Sequence, residues 1–326
     1  MYISFFDGRE PVIRLMATHK TYESCEEKLD SLLQNSVNNQ LVSDVPLGVL
    51  LSGGLDSSLI ASIASKYKEQ LNTYSVSFLE KDYDESNKAK LVSKHIGSKH
   101  YDLKIDKNFF LENLQTIIDI KGSPASIPHE FALYCLCKEI KKEVSVLLSG
   151  EGADEFFGGY SRVQKSAFDF NKTNLFFGNF NKKKFFDFFL DRYKWFSVKE
   201  KDILFSVDSK KIIDDELVYR PFEKIFEKSN KKQTYNVILE SFQTNHIKAL
   251  LDRLDLMSMK SGIEARVPFL DHKIIEFINS LSFNNKIKWK SPIHKYLSFF
   301  SSSEKYTEKN DINKFLLRSC SKKYLP

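Results

Sequence analysis

The first half of the chain alternates short apolar runs with longer stretches in which apolar residues recur every three or four positions. Four runs, ending near residues 51, 78, 105 and 148, have the length of buried strands. The stretch from 22 to 41 has helical spacing, with apolar side chains at Leu29, Leu32, Leu33, Val37 and Leu41. Strands that alternate with helices in this way predict an α/β fold, with a parallel sheet and helices on both of its faces.

The pattern changes at about residue 161, where amphipathic helices rich in Phe and Lys begin. Residues 161–235 hold thirteen of the 28 Phe, with Lys between them. Interleaved aromatic and basic side chains occur in single-stranded nucleic-acid sites. They also fit helices that bury Phe beneath a charged surface, which is the interpretation we favour. Residues 236–261 predict one long helix that ends at Gly262.

Composition adds limits on the class of protein. The 326 residues carry a net charge of +6, and no apolar run approaches the roughly 20 residues of a membrane span. We therefore expect no membrane association and no nucleic-acid partner, since a mild positive charge also suits acidic small molecules. The four cysteines have no C-x-x-C spacing, which predicts reduced thiols and, in the absence of a signal peptide, a cytoplasmic location.

Two loops rich in Gly follow two of the predicted strands. SGGLDS occupies residues 52–57, and SGEGADEFFGGY occupies residues 149–160. In open parallel sheets, ligands bind outside the carboxyl ends of the strands, at the point where the strand order reverses. We therefore expect the two loops to line one crevice.

The first loop has the composition of a phosphate site. Gly53 and Gly54 let the backbone approach an anion closely, and the N-terminus of the following helix adds partial positive charge. Ser52 and Ser57 supply hydroxyl groups. Asp56 would repel a phosphate unless Mg²⁺ lies between them. The alternative is a strand-to-helix turn with a capping Asp or Ser, but six specified positions favour a nucleotide and Mg²⁺.

These motifs resemble a known family. SGGLDS is similar to the pyrophosphate-binding loop of the ATP pyrophosphatase (PP-loop) group, whose fold is of the adenine nucleotide α-hydrolase type. The longer phrases resemble the synthetase domain of the asparagine synthetase family, in the same order along the chain: SDVPLGVLLSGGLDSS (43–58), YDES (83–86), LLSGEGADEFFGGY (147–160) and SMKSGIEARVPFLDH (258–272). The resemblance covers about residues 22 to 326.

The resemblance implies a set of site residues. The ATP and pyrophosphate contacts fall on Leu51, Ser52, Gly53, Gly54, Asp56, Ser57, Ser149 and Gly150. Mg²⁺ falls on Asp56 and Asp154, and catalytic positions beside the reacting carboxylate fall on Glu151 and Tyr160. Arg253 and Asp255 lie in the helix that faces the acyl substrate in this family. Three further residues are expected to support the fold: Glu264, Arg266 and Asp271.

The implied organisation is a nucleotide-binding core over 22–160 and a helical part of the same synthetase domain over 161–326. The implied activity is an ATP-dependent, AMP-forming amide ligase that activates a small carboxylate, by default aspartate, and transfers ammonia or another amine. A non-catalytic subunit that binds nucleotide or a partner glutaminase is the alternative. Modification of tRNA through the same loop is disfavoured, because the chain lacks the expected cysteine pairs. A homo-oligomer is compatible with the sequence.

The chain departs from the family at both ends. Tyr2 stands where the family carries its Cys nucleophile, and the segment 1–21 replaces a glutaminase domain. We therefore expect the nitrogen to come from ammonia, another amine or a separate glutaminase chain. LLRSCSKKYLP (316–326) resembles the family's last helix, after which the family continues with a lysine near the active site. A truncated C-terminus short of that lysine is expected.

Overall fold

The computed structural model describes residues 22–79, 85–124, 127–177, 180–206, 215–230 and 234–326. The N-terminal segment 1–21 and the first two residues of the YDES motif lie outside the described residues.

Five parallel strands form the central sheet, and the sequence predicted both the parallel arrangement and four of these strands. They are β1 (Leu47–Leu50), β2 (Asn72–Phe78), β3 (Lys99–Ile105), β4 (Val146–Leu148) and β5 (Glu264–Arg266). The spatial order is β3-β2-β1-β4-β5. The chain builds outward from β1 to β3 and then returns to the other side of β1, so the order reverses between β1 and β4. The fifth strand was not predicted, because two of its three residues are charged and no apolar run marks it.

Helices cover both faces of this sheet. Those of the first half are α1 (Tyr22–Gln40), α2 (Leu55–Ala64), α3 (Ser86–Ile96), α4 (Lys107–Lys121) and α5 (Pro128–Ile140). Val146 and Leu148 pack in the core that contains α1 and α2, whereas Leu147 packs in the core that contains α5. This alternation along β4 is the period of two that places successive side chains on opposite faces.

The second half is mainly helical, as predicted. Its helices are α6 (Ala153–Phe157), α7 (Ser161–Gln164), α8 (Ser166–Phe177), α9 (Lys182–Tyr193), α10 (Val198–Leu204), α11 (Asp215–Glu227), α12 (Thr234–Ser241), α13 (Ile247–Met259), α14 (His272–Ser280), α15 (Phe283–Lys286), α16 (Pro292–Leu297), α17 (Ser303–Tyr306) and α18 (Phe315–Ser321). A two-residue antiparallel ladder joins β6 (Lys288–Trp289) to β7 (Asp311–Ile312). Within the ranges that the structure describes, no helix is both long and apolar enough to cross a membrane.

The Phe-rich region forms a core of its own. Phe170, Phe185, Phe189 and Phe226 are buried together with Phe242. The ring centroid of Phe226 lies 4.9 Å from that of Phe185 and 4.9 Å from that of Phe189. Aromatic pairs at this distance stabilise a core beyond the area they bury. These described Phe therefore serve packing, which is the interpretation favoured from the sequence.

One long helix was predicted over 236–261, and the structure shows two helices with a wider turn between them. A π-helical segment, Phe242–His246, separates α12 from α13. Such segments insert an extra residue into the helical turn and often occur at functional sites. Here the inserted turn brings His246 toward Glu155 of α6, at 4.0 Å between Nε2 and Oε1.

Lys286 provides a pH-dependent term in stability. Its side chain is buried, and its Nζ donates hydrogen bonds to the carbonyls of Ile278 and Leu281 at 2.7 and 3.2 Å, at the end of α14. Burial lowers the pKa of Lys286 to about 7. The unfolded chain, with an ordinary lysine, binds more protons between pH 7 and about 10, so stability rises with pH in that window.

We expect the free energy of unfolding of the native chain to increase from pH 7 to pH 9 relative to Lys286→Met. The difference should be on the order of 1 kcal/mol for each pH unit. Urea denaturation of both proteins at several pH values measures it. Parallel pH profiles of the two proteins would contradict the assignment.

Candidate active site

The SGGLDS loop turns tightly from β1 into α2. Gly53 has φ +80°, and a Cβ at this position would lie 2.5 Å from the backbone nitrogen of Ala89 in α3. The hydroxyl of Ser57 lies 3.0 Å from that of Ser52 and accepts the Ser52 N–H at 3.2 Å. The loop is thus held in one conformation, with the N-terminus of the ten-residue helix α2 behind it. Backbone N–H groups at such a helix N-terminus favour an anion.

The second loop packs directly against the first. A Cβ on Gly150 would lie 3.0 Å from the backbone nitrogen of Ser57, so only glycine allows this approach without a shift. The N–H of Ser149 donates to the carbonyl of Arg266 on β5 at 2.8 Å, and Leu51 is fully buried behind the first loop. The structure therefore brings the loops after β1 and β4 together at the point where the strand order reverses.

Lys314 joins the two loops. Its Nζ lies 2.6 Å from Asp56 Oδ2 and 2.6 Å from Asp154 Oδ1, and its side chain is only 9 % exposed. No spacing could have pointed to it, since 258 positions separate it from Asp56. The sequence predicts a chain that stops short of the family's lysine near the active site, and it indicates no role for Lys314. Lys314 comes from the turn before α18, in the described C-terminal region.

The three charges stabilise one another against burial. Burial raises the pKa of Asp56, and the Lys314 ammonium counteracts this effect. Burial also opposes the charge on Lys314, but Asp56 and Asp154 outweigh it and raise the pKa of Lys314 above its usual range. Lys314 is therefore a cation at neutral pH, and the site combines one fixed positive charge with two carboxylates.

The carboxylates fit the Mg²⁺ predicted from the sequence. Asp56 Oδ1 is buried and has no hydrogen-bond partner among the described residues, so one oxygen of this carboxylate is available to a cation. The described residues hold no group of three or more His, Cys, Asp or Glu arranged as a metal site. Mg²⁺ is commonly held by one or two carboxylates together with substrate phosphates and water, and this donor set matches that chemistry.

Glu151 and Arg253 form the opposite wall of the crevice. Arg253 Nη2 lies 2.9 Å from Glu151 Oε1, with the side chains 15 % and 28 % exposed. The structure thus brings Arg253 of α13 to Glu151 of the second loop, and its role in binding the acyl substrate stays a prediction. Asp255 follows Arg253 by two positions, and residues two apart on a helix do not share a face. The substrate-binding assignment of Asp255 accordingly gains no support from the position of Arg253.

Tyr160 lies in a buried polar cluster beside the loop. Its hydroxyl donates to Glu155 Oε1 at 2.8 Å, and its ring stacks on Phe242 at 5.0 Å. Burial raises the pKa of Glu155 to about 7, although the bond from Tyr160 lowers it. Tyr193 and His246 close the cluster with a hydrogen bond of 2.8 Å. The phenol of Tyr160 thus contacts Glu155 rather than Glu151, and its proposed position beside the reacting groups stays a prediction.

The residues expected to support the fold do so. Arg266 Nη1 donates to the carbonyls of Gln40 and Val42, both at 2.7 Å, and its Nε pairs with Glu264 at 2.7 Å. Asp271 caps α14 by accepting the N–H of Lys273 at 2.8 Å. These contacts tie the end of α1 to β5, next to Ser149.

Comparisons with known proteins agree with the motifs. The family described as Asparagine synthase matches residues 28–326. Glutamine-hydrolyzing asparagine synthetase 3 of Bacillus subtilis (strain 168) is 30% identical over 295 residues, which are 82% of this chain and 44% of that protein. Asparagine synthetase 1 of the same organism is 38% identical over 149 residues, covering 44% of this chain and 24% of the relative.

A solved structure, the NH3-dependent NAD synthetase from Campylobacter jejuni, aligns over 71% of this chain and 96% of its own at 15% identity, but its TM-score of 0.34 is too low to carry an argument. The chain spans less than half the length of the curated relatives it matches. Because the match to the family covers nearly all residues of this chain, the chain belongs to the asparagine synthase family.

Proposed function

We propose that this chain is an AMP-forming amide ligase that activates a small carboxylate, by default aspartate, with ATP and then joins it to ammonia or another amine. The observation that carries the proposal is the convergence of Asp56, Asp154 and Lys314 at the edge where the two glycine-rich loops meet. A fixed cation and two metal-binding carboxylates beside a helix N-terminus suit a pyrophosphate leaving group.

The chemistry divides between the two walls of the crevice. A carboxylate oxygen of the substrate forms a bond to the α-phosphorus of ATP, and the bond from that phosphorus to the bridging oxygen breaks to release pyrophosphate. The SGGLDS backbone and Lys314 stabilise the negative charge that develops on the leaving group. Asp56 and Asp154 would hold Mg²⁺, which neutralises phosphate charge when bound.

Amide formation follows on the side of Glu151. The amine nitrogen bonds to the carbonyl carbon of the acyl-adenylate, and the bond from that carbon to the AMP oxygen breaks. Glu151 is proposed to accept the proton that the nitrogen loses. Arg253 holds the Glu151 carboxylate in place at 2.9 Å and supplies the positive charge of this wall. The pair thus orients the base toward the reacting carbon.

The nitrogen donor is proposed to be free ammonia, another amine or a separate glutaminase chain. All four cysteines of the chain are buried and free. Burial raises the pKa of Cys135, Cys137 and Cys320 to about 12 in each case. A buried, protonated thiol is a poor nucleophile, so these three residues are unsuited to glutamine hydrolysis.

ATP–pyrophosphate exchange across a panel of carboxylic acids tests the proposal. We expect exchange that depends on one acid, with aspartate as the first candidate, and amide product when ammonium is added. Glutamine in place of ammonium should give no product from this chain alone. Absence of exchange with every acid would favour the alternative of a non-catalytic nucleotide-binding subunit.

Glu151→Gln is expected to abolish amide formation from ammonium while the protein stays folded and still catalyses ATP–pyrophosphate exchange, because the neutral amide cannot accept the proton of the attacking amine. Circular dichroism checks the fold, and separate assays of exchange and of amide product distinguish the two steps. Glu223→Gln, which changes a carboxylate on the surface of α11, is the matched control and should be fully active. A Glu151→Gln protein with near-normal amide formation would remove Glu151 from the site.

A further inference from the structure

The segment that delivers Lys314 has an unusual backbone. Among the described residues, the only non-glycine positions with positive φ are Glu308 at 66° and Lys314 at 48°. The left-handed backbone conformation is unfavourable for a residue that carries a Cβ. Such a conformation persists only where the surroundings impose it. The turn from 308 to 314 therefore depends on contacts that hold it in place.

Asp311 is the centre of those contacts. Its Oδ1 accepts the N–H of Glu308 at 2.8 Å, and its backbone pairs with Trp289 in the β6–β7 ladder. The residue is 1 % exposed, and its Oδ2 is buried without a hydrogen-bond partner among the described residues. A buried carboxylate with one open oxygen needs a positive charge nearby.

Lys165 supplies that charge and lies beside Trp289. It is 1 % exposed, and its Nζ lies 3.5 Å from the centre of the Trp289 ring, with Phe283 at 5.8 Å. In the described part of the chain, no carboxylate oxygen comes within 4.0 Å of this ammonium. Burial lowers the pKa of Lys165 to about 8, and Asp311 counteracts the effect. Trp289 thus lies in contact with both members of a buried charge pair.

We propose that Lys165, Trp289 and Asp311 act as a positioning unit that fixes the 308–314 turn and so places Lys314. The inference rests on the proposed function, in which Lys314 holds the pyrophosphate. The helix α7 begins immediately after the SGEGADEFFGGY loop, and Lys165 is the residue that follows α7. Asp311 precedes Lys314 by three positions. The unit therefore ties the turn that carries Lys314 to the loop that carries Asp154.

The first test is hydrogen–deuterium exchange of the 308–318 region in the full chain. We expect Lys165→Met to speed exchange there by at least tenfold, because the cation that holds Trp289 and Asp311 is lost. Lys165→Arg keeps a charge that stacks on indole and should restore most of the protection. Lys183→Met removes an exposed lysine on α9 and should leave this region unchanged. Unchanged exchange in Lys165→Met would overturn the inference without bearing on the proposed reaction.

The second test asks whether Lys165 acts through Lys314. Calorimetric binding of pyrophosphate with Mg²⁺ is expected to weaken about tenfold in Lys165→Met and more in Lys314→Met. The double variant should be no weaker than Lys314→Met alone, since residues that act in one path are not additive. The inference would be overturned if the affinity losses of the two single variants multiplied in the double variant, or if Lys165→Met bound pyrophosphate with unchanged affinity. If Lys165→Met fails to fold, Asp311→Asn takes its place with the same two readouts and the same expectations.

The two tests separate the inference from the function. If the native chain catalyses no ATP–pyrophosphate exchange with any acid, but Lys165→Met loses protection of the 308–318 region and affinity for pyrophosphate, the result supports the positioning unit and contradicts the ligase. A native chain with acid-dependent exchange whose Lys165→Met variant keeps full pyrophosphate affinity supports the ligase and contradicts the positioning unit.

Discussion

Asp154→Asn is expected to lower ATP–pyrophosphate exchange by about a thousandfold or more while the protein remains folded. The substitution keeps the size of the side chain and removes its charge. Lys314 would then have Asp56 as its remaining carboxylate partner in the site, and Mg²⁺ would lose one of the two carboxylates proposed to hold it. Because Asp154 is 35 % exposed, we expect a change of only about 1 kcal/mol in the free energy of unfolding.

Exchange kinetics and Mn²⁺ binding measure this effect together. The variant should bind Mn²⁺ and pyrophosphate more weakly than the native chain at equal fold content by circular dichroism. Asp187→Asn is a suitable control, because Asp187 is a surface carboxylate that also pairs with a lysine, at 3.2 Å. Exchange within a few-fold of normal in Asp154→Asn would show that this carboxylate does not serve the leaving group.

Gly159→Ala is expected to lower ATP–pyrophosphate exchange through geometry alone. A Cβ at this position would lie 1.4 Å from Asp154 Oδ1 and 2.6 Å from Lys314 Cε, so both side chains must move. The N–H of Gly159 also donates to the carbonyl of Asp154 at 2.9 Å, which fixes the backbone at this distance. Displacing a charged group by about 1 Å in an active site can cost on the order of a hundredfold in rate. We expect exchange to fall by at least that factor.

A double-mutant cycle identifies the cause. Gly159→Ala should also destabilise the protein by about 1 to 3 kcal/mol, as overpacking does. In an Asp154→Ala background the main clash disappears, so the added methyl group should cost much less in stability, while exchange stays low in both proteins. Equal costs in the two backgrounds, measured by urea denaturation, would exclude the Asp154 carboxylate as the obstacle.

The sequence determined the alternating part of the fold well. The ends of β1 to β4 were predicted to within one residue, because short apolar runs are local signals. Gly97 ends α3 with φ 68°, the left-handed conformation typical of a terminal glycine. β5 was missed, since Glu264 and Arg266 are charged and only the pairing with β4 makes this segment a strand.

In the candidate site, too, some residues could be predicted from the sequence and some contacts could not. The residues of the first loop could be predicted from composition, because a phosphate loop needs Gly, Ser and Asp at adjacent positions, whereas those of the second loop were implied by the family resemblance. The ion pair of Arg253 with Glu151 and the contact of Tyr160 with Glu155 were not anticipated. The position of Arg253 depends on how the helical stretch turns through its π-helical segment, which a periodicity of 3.6 cannot show.

The sequence alone therefore predicted a phosphate site in the first loop and placed both loops at the ends of parallel strands. Only the tertiary structure decided that Lys314 completes the site, because a salt bridge across 258 positions leaves no local pattern. The same holds for Lys165 and Asp311, whose burial makes a paired charge necessary although each looks like an ordinary surface residue in the sequence. Local composition specifies what a loop can bind, whereas the charges that balance it are brought in by packing.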